Sequence, residues 1–243
     1  LQQARVQLDD VRAVCLTHLD QDHFRPNWVR TLLGWRIPVY LHRWHFDAFA
    51  RLKDGGQAMA DAGLVHVFED APFNPMRGIE VAPIRLAHDL QGTSGFRIES
   101  RWGSVGYATD LGHVPESLVE HFTGVDVLAI ESNYDPPMQL RSPRPAFLKR
   151  RIMGGQGHLS NDEAYLTVRR VAERSAPGYP AEVVLLHRSA QCNRKHIIRK
   201  VFDQSPELAS RVTLTEQRRR TRWIKMPQRA PVERVQTWFE FVK

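Results

Sequence analysis

Hydrophobic and polar positions change period many times along this chain, and the changes cut it into short alternating elements. Apolar or β-branched runs cover Val11–Thr17, Val39–His42, Leu64–Phe68, Ile79–Leu86, Gly95–Glu99, Ser104–Thr109, Val125–Ile130, Glu182–Leu186 and Arg211–Thr215. Each is bounded by turn residues and has the length of a strand. Between them the apolar spacing lengthens to that of a helix. Pro26–Leu33 opens on a proline suited to a first helical turn, and Val114–Phe122 puts apolar residues 114, 118, 119 and 122 on one face. Ser160 and Glu163 have capping-box spacing ahead of a helix over Glu163–Ala176. Trp44–Ala62 reads as helix interrupted at Gly55-Gly56, and Cys192–Phe202 as another helix. Strands and helices mix from end to end, so the class is α/β or α+β. No repeat or linker divides the chain, which predicts one domain over 1–243 with a basic C-terminal extension over 216–243.

Composition narrows the function classes. The 243 residues are 42% hydrophobic and 25% charged, the balance of an ordinary globular protein. No apolar run approaches the ~18–20 residues of a membrane span, so no membrane partner is expected. Cys15 and Cys192 stand far apart, which excludes a disulfide scaffold and a four-cysteine zinc site and suits a reduced, cytoplasmic setting. Leu1–Leu8 lacks a basic stretch followed by a long apolar segment, so it does not read as a signal peptide. Lys and Arg total 34 against 27 Asp and Glu, and a net charge of +7 favours a polyanionic partner.

Chemistry concentrates where the apolar runs stop. Val11–Thr17 runs straight into His18, Asp20, Asp22 and His23. In extended chain alternate side chains share a side, so His18, Asp20 and Asp22 can converge, with His23 joining as the chain turns. Such a grouping of imidazoles and carboxylates is favourable around a cation. Ile79–Leu86 leads to His88, Ser104–Thr109 to Asp110, Val125–Ile130 to Glu131 and Glu182–Leu186 to His187, while His158 follows the Gly-rich turn Gly154–Gly157. Loops at strand ends let a rigid sheet aim such side chains at one point. A carboxylate such as Asp110 suits the bridge between two metals about 3.5–4 Å apart.

The segments T-H-L-D-Q-D-H, A-H-D, Y-A-T-D-L-G, I-E-S-N-Y-D, G-H-L-S-N and L-H-R-S resemble the metallo-β-lactamase superfamily, in particular its YycJ/WalJ-type branch near the ribonuclease Z-like and exonuclease-like members. The match runs from about Val11 to Asn193. It implies a four-layer αββα sandwich with a dinuclear site at one edge of two sheets. The family pattern begins with a Ser/Gly-rich strand pair, and only ten residues precede Val11, so a sheet without those N-terminal strands is expected. The resemblance implies two divalent ions, zinc or manganese. His18, Asp20, His88 and Asp110 would hold one; Asp22, His23, Asp110 and His187 would hold the other. It also implies a hydroxide between the ions as nucleophile, with Asp22, His158 and Glu131 as catalytic residues, His158 protonating the leaving oxygen and Glu131 orienting it. Asp20 stands where the family pattern has its second His, a harder ligand that shifts preference toward manganese-like ions.

The implied activity is hydrolysis of nucleic-acid phosphodiesters, exonuclease-like, with single-stranded DNA or RNA as partner. Two rival readings keep the fold: hydrolysis of a small ester, lactone or β-lactam, and a non-catalytic binding module. Arg188 beside His187 is a candidate phosphate clamp, and the helix start at Ser160 and Asn161 could hold a phosphate on its free amides. Arg141, Arg144, Lys149, Arg150 and Arg151 are expected to form a substrate-binding rim. The run Glu216–Lys225, with Trp223, could track a nucleic-acid backbone or form a solvated face. His42, His45, His66, His113, His121 and His196 are read as surface or hydrogen-bonded structural residues, and Cys15 as core.

Overall fold

A computed structural model describes residues 6–217 and 219–227. Arg218 and positions 228–243 of the basic extension lie outside the described residues. The chain forms β1 (Val14–Cys15), α1 (Trp28–Gly34), β2 (Val39–His42), α2 (Phe46–Ala50), α3 (Gly56–Asp61), β3 (Val65–Phe68), β4 (Phe73–Met76), β5 (Ile79–Leu86), β6 (Thr93–Ser100) and β7 (Gly103–Ala108). It continues with α4 (Glu116–Phe122), β8 (Val127–Glu131), α5 (Pro136–Arg141), α6 (Ala146–Met153), α7 (Asn161–Arg174), β9 (Glu182–Leu186), α8 (Lys195–Phe202), α9 (Pro206–Ala209) and β10 (Val212–Leu214).

The strands make two sheets. One is parallel with order β1-β2-β3, and the other has order β10-β9-β8-β7-β6-β5-β4. Burial shows four layers. On the small sheet, Val39 and Leu41 of β2 pack with Val29, Leu32, Phe49 and Met59 of α1–α3. Between the sheets, Tyr40 of β2 and Phe68 of β3 meet Val81, Phe96, Ile98 and Tyr107 of β5–β7. Beyond the large sheet, Ala108, Leu128, Ile130, Val183 and Leu185 pack against Leu118, Phe122, Val168, Ile198 and Phe202 of α4, α7 and α8. Adjacent residues such as Val39 and Tyr40 therefore serve different cores, as alternation along a strand requires. This helix–sheet–sheet–helix order is the α/β sandwich expected.

Several elements depart from the sequence reading. The first apolar run contributes only Val14–Cys15 to a sheet, because β1 is an edge strand paired with β2 alone. The helix expected over 44–62 with an interruption at Gly55-Gly56 is a 3-10 turn at Arg43–His45, then α2, and, past Gly55, α3, so the break is wider than the glycine pair. Strand β4, with Pro75 inside it and an irregular register against β5, was not legible as a strand. No helix among the described residues is long and apolar enough to cross a membrane.

Candidate metal centre

Register explains why distant residues meet. Strand β6 is antiparallel to both β5 and β7, and β7, β8 and β9 are mutually parallel, so β5, β7, β8 and β9 all end on one edge of the large sheet. Those ends carry His88, Asp110, Glu131 and His187. The 16–23 segment arrives from the small sheet, tied across by the Ser94 amide donating to the Thr17 carbonyl at 3.0 Å. Asp89, Asp110 and His187 all have positive φ, at 42°, 55° and 51°. A left-handed turn costs a non-glycine residue about 1–2 kcal/mol, and such strain collects at functional sites. Gly112 and Gly157 let the 110–112 and 154–158 loops cross closely. A Cβ on Gly112 would lie 2.3 Å from the backbone of Gly155 or Gln156, and one on Gly157 2.5 Å from the Arg151 carbonyl.

The ligand-type atoms fall into overlapping groups. His18, His88 and Asp110 form one, and Asp22, His23 and His187 another. Asp20 Oδ2 stands 3.8 Å from Nε2 of both His18 and His88. Asp110 reaches the second group as well: His23 Nε2 is 2.9 Å from Oδ2, and His187 Nε2 is 3.4 Å from Oδ1. His187 Nε2 lies 3.4 Å from Asp22 Oδ2 and 3.3 Å from His23 Nε2. All seven residues expected to hold metal are thus brought together, with Asp110 at the junction.

The rings are oriented from outside. His18 Nδ1 meets the Thr17 and Thr93 hydroxyls at 2.9 and 3.3 Å, while its buried Nε2 has no hydrogen-bond partner. His88 Nδ1 donates to the Gly157 carbonyl at 3.0 Å, which leaves its Nε2 lone pair facing inward. An orphaned, buried imidazole nitrogen is costly unless something binds it. Atoms around one ion at ~2.0–2.2 Å bond lengths are separated by about 3.3–3.6 Å, close to the spacings here. The donor set fits divalent cations.

Glu131 does more than the sequence suggested. Fully buried at the end of β8, its Oε1 accepts from Nδ1 of His158 at 2.8 Å and from Nδ1 of His187 at 3.0 Å. Its Oε2 accepts from the Leu111 and Leu159 amides at 3.1 and 3.4 Å. Burial alone would raise the Glu131 carboxyl, but these imidazoles hold it below its ordinary value. Burial likewise works against protonated rings, yet Asp22 and Glu131 lift His187 to about 11, and Glu131 and Asp110 raise His158. Asp110 also defeats its own burial: His23 and His187 hold its carboxyl well below the usual range. His18, with burial dominant, drops to about 4.

The substrate-facing residues divide. A cavity of about 520 Å³ beside the centre is lined by Asp22, Asn133, Arg144, His158, His187, Arg188 and Gln191. Arg144 and Arg151 line an adjoining cavity of about 310 Å³ under α6, and Arg151 makes a two-pronged bond to Asp89, Nε to Oδ1 at 2.6 Å. Arg141 and Lys149 instead spend their donors on the carbonyls of Pro137 and Leu140, and Arg150 is exposed. Ser160 and Asn161 do not face this cleft. Both are buried; Ser160 caps α7, and the Asn161 amide pairs with Ser132 and Asn193. Trp223 is 68% exposed and Arg222 bonds Glu182. His113 bonds the Gly155 carbonyl and His121 that of Ala82, as structural residues do. His45 differs from its reading, since it is buried with neither ring nitrogen partnered. Cys15 is half-buried, and Cys192 fully buried.

Two stacked sheets with imidazoles and carboxylates gathered at their strand ends define a metal-dependent hydrolase of the metallo-β-lactamase fold. The chain belongs to the beta-lactamase superfamily: the model of the beta-lactamase superfamily domain matches residues 1–187. It is 25% identical over 202 residues to exodeoxyribonuclease YycJ of Bacillus anthracis, covering 83% of this chain and 73% of that protein. Against exodeoxyribonuclease WalJ of Streptococcus pneumoniae serotype 2 it is 25% identical over 225 residues, 84% and 80% of the two chains. The crystal structure of the metallo-beta-lactamase fold protein YhfI from Bacillus subtilis superposes with a TM-score of 0.64 at 16% identity, covering 88% of this chain and 79% of that one.

Proposed function

We propose that this protein is a nuclease that hydrolyses phosphodiester bonds of single-stranded nucleic acid, exonuclease-like, with a pair of divalent cations, zinc or manganese. The observation that carries this reading is Asp110, which stands at the junction of two imidazole–carboxylate groups. His18, Asp20, His88 and Asp110 would hold one cation, and Asp22, His23, Asp110 and His187 the other. Bound there, such ions would acidify a water toward neutral pKa and offset charge on phosphoryl oxygens. The relatives named as exodeoxyribonucleases support a nucleic-acid substrate, as does the net charge of +7.

The chain's own groups have separable tasks. With Nδ1 held by Glu131, whose carboxylate raises the pKa of the ring against its burial, His158 can give a proton from Nε2 to a leaving oxygen. Arg188 and Arg144 on the cavity wall bind phosphate by charge-assisted hydrogen bonds. Helix α6 covers the second cavity through Leu148, Arg151 and Ile152, restricting water there.

Two measurements test this. Metal-loaded protein should degrade a single-stranded oligonucleotide, with affinity falling steeply as salt is raised, since phosphate contacts release counterions. Arg188→Ala should reduce the slope of log affinity against log salt by about 1. A salt-independent response with fast hydrolysis of a model ester would overturn the nuclease reading in favour of a small ester or lactone. The second is proton linkage. His187 carries a proton at pH 7 in the ion-free molecule, because Asp22 and Glu131 outweigh burial and hold its pKa at about 11. A cation taking Nε2 must expel that proton, so affinity should rise about tenfold per pH unit per proton released. Calorimetry in buffers of different ionisation enthalpy reads the release directly. Affinity independent of pH would remove His187 from the ligand set.

A further inference from the structure

His187 turns left-handed at the end of β9, a conformation uncommon for a residue other than glycine. Its support comes from a different strand end. Asn133, two residues beyond β8, donates from Nδ2 to the His187 carbonyl at 2.8 Å, while the Ser189 amide donates to the Asn133 carbonyl at 2.9 Å. The contact from Asn133 Nδ2 to His187 Nδ1, at 3.2 Å, is not a competing bond when Nδ1 carries the hydrogen given to Glu131.

Behind Asn133 lies an amide pair that touches nothing in the metal centre. Asn161 and Asn193, 1% and 0% exposed, bond head to tail at 3.0 and 2.7 Å. Asn193 Nδ2 also donates to the carbonyls of Ser132 and Asn133 at 3.1 and 2.9 Å, and the Ser132 hydroxyl donates to Asn161 Oδ1 at 2.8 Å. Asn193 Nδ2 thus shares its two hydrogens among three acceptors, two of them on the 132–133 backbone. A connected buried polar network rigidifies the segment it holds.

We propose that this asparagine latch is a positioning device for His187, with Asn133 as the residue that fixes the direction of its Nε2 and Asn193 as the anchor that fixes Asn133. The inference rests on the reading of His187 as a metal ligand. Glu131 sets the tautomer of the ring; the latch sets the backbone from which the ring projects. Partners at this distance from an ion govern affinity because a ligand free to turn must be re-ordered on binding.

The test is competitive titration of the ion-free chain with Zn²⁺ against a chromophoric chelator, read beside thermal melting. In the wild-type chain two equivalents should bind. Asn133→Ala should weaken one of them by about 10- to 100-fold and leave the other within a few-fold. Asn193→Ser should weaken the same equivalent by a smaller factor, although it has no contact with His187. Where Asn133→Ala does not fold, Asn133→Ser, which keeps a hydroxyl but not the reach, takes its place. A second readout is the visible spectrum of the Co²⁺-loaded chain, whose intensity and band positions should shift in each folded variant. If melting drops while both zinc affinities and the cobalt spectrum stay at wild-type values, the cluster is only structural and the proposal is overturned. If the wild-type chain binds fewer than two equivalents, the ligand reading itself fails, and the latch falls with it.

Discussion

Asp110→Ala is expected to abolish hydrolysis, lowering kcat/KM by at least about 10⁴-fold, the scale on which a cooperating catalytic set fails when one member is lost. The carboxylate is 2% exposed; it groups with His18 and His88 on one side, while its oxygens also meet the other group, Oδ2 at His23 and Oδ1 at His187, with His158 beside them. Asp110 is the residue that both proposed ligand sets include, so its loss takes a ligand from each. Metal content should fall together with turnover, from two equivalents per chain to at most one. The fold should survive, because Glu131 still accepts from both His158 and His187 and the Asp110 side chain belongs to none of the hydrophobic clusters. Asp110→Asn refines the result. It retains the shape and the hydroxyl neighbour Thr109, at 2.8 Å from Oδ2, but not the charge, and should bind metal weakly without restoring turnover. Elemental analysis and oligonucleotide hydrolysis on the same preparations check both. Wild-type turnover in Asp110→Ala would remove the centre from the reaction altogether.

The parts of this centre legible in the sequence share one property: each ligand-type residue directly follows a short apolar run. His18, His88, Asp110, Glu131 and His187 could be grouped because strands deliver them and parallel strands end together. What escaped notice depends on contacts between loops far apart in sequence. Glu131 was expected to orient His158, but its equal grip on His187, 56 residues away, has no local signal. Asn161 looked like a helix-start residue open to phosphate, and only the position of Asn193 shows its amide to be already used. The basic run from Arg141 to Arg151 was read as one rim. It is divided instead among the end of α5, the 142–145 connection and α6, which place Arg144 and Arg151 at the cleft and Arg141 and Lys149 on carbonyls. Helices α5 and α6 were missed for a related reason, since prolines and cations obscure the weak apolar face that Leu148 and Ile152 bury.

Glu131 supports the second large prediction, and here two substitutions should separate stability from chemistry. Glu131→Ala strips the acceptor from four donors at once: Nδ1 of His158, Nδ1 of His187 and the amides of Leu111 and Leu159. An unsatisfied buried donor costs about 1–3 kcal/mol, but the losses are not independent, and breaking a buried charged network by removing one member costs about 3–5 kcal/mol. Denaturant unfolding should therefore show a drop of that size, with hydrolysis lost in whatever folds. Glu131→Gln keeps the volume and one acceptor oxygen, so its stability loss should be smaller. Its chemistry should fail for a specific reason. Its one oxygen can accept from the two rings, as Oε1 does, or from the two amides, as Oε2 does, but not from all four donors, and it carries no charge. A weaker hold on His187 Nδ1 no longer pins the tautomer that leaves Nε2 for a cation, which weakens metal binding about 10- to 100-fold. His158 loses the carboxylate that raises its pKa, and the alkaline limb of the pH–rate profile should move to lower pH because the proton donor is exhausted sooner. Metal titration and the pH profile thus report on the two histidines separately. A Glu131→Gln enzyme with wild-type metal affinity and an unchanged pH profile would show that this carboxylate holds loops together without tuning either ring.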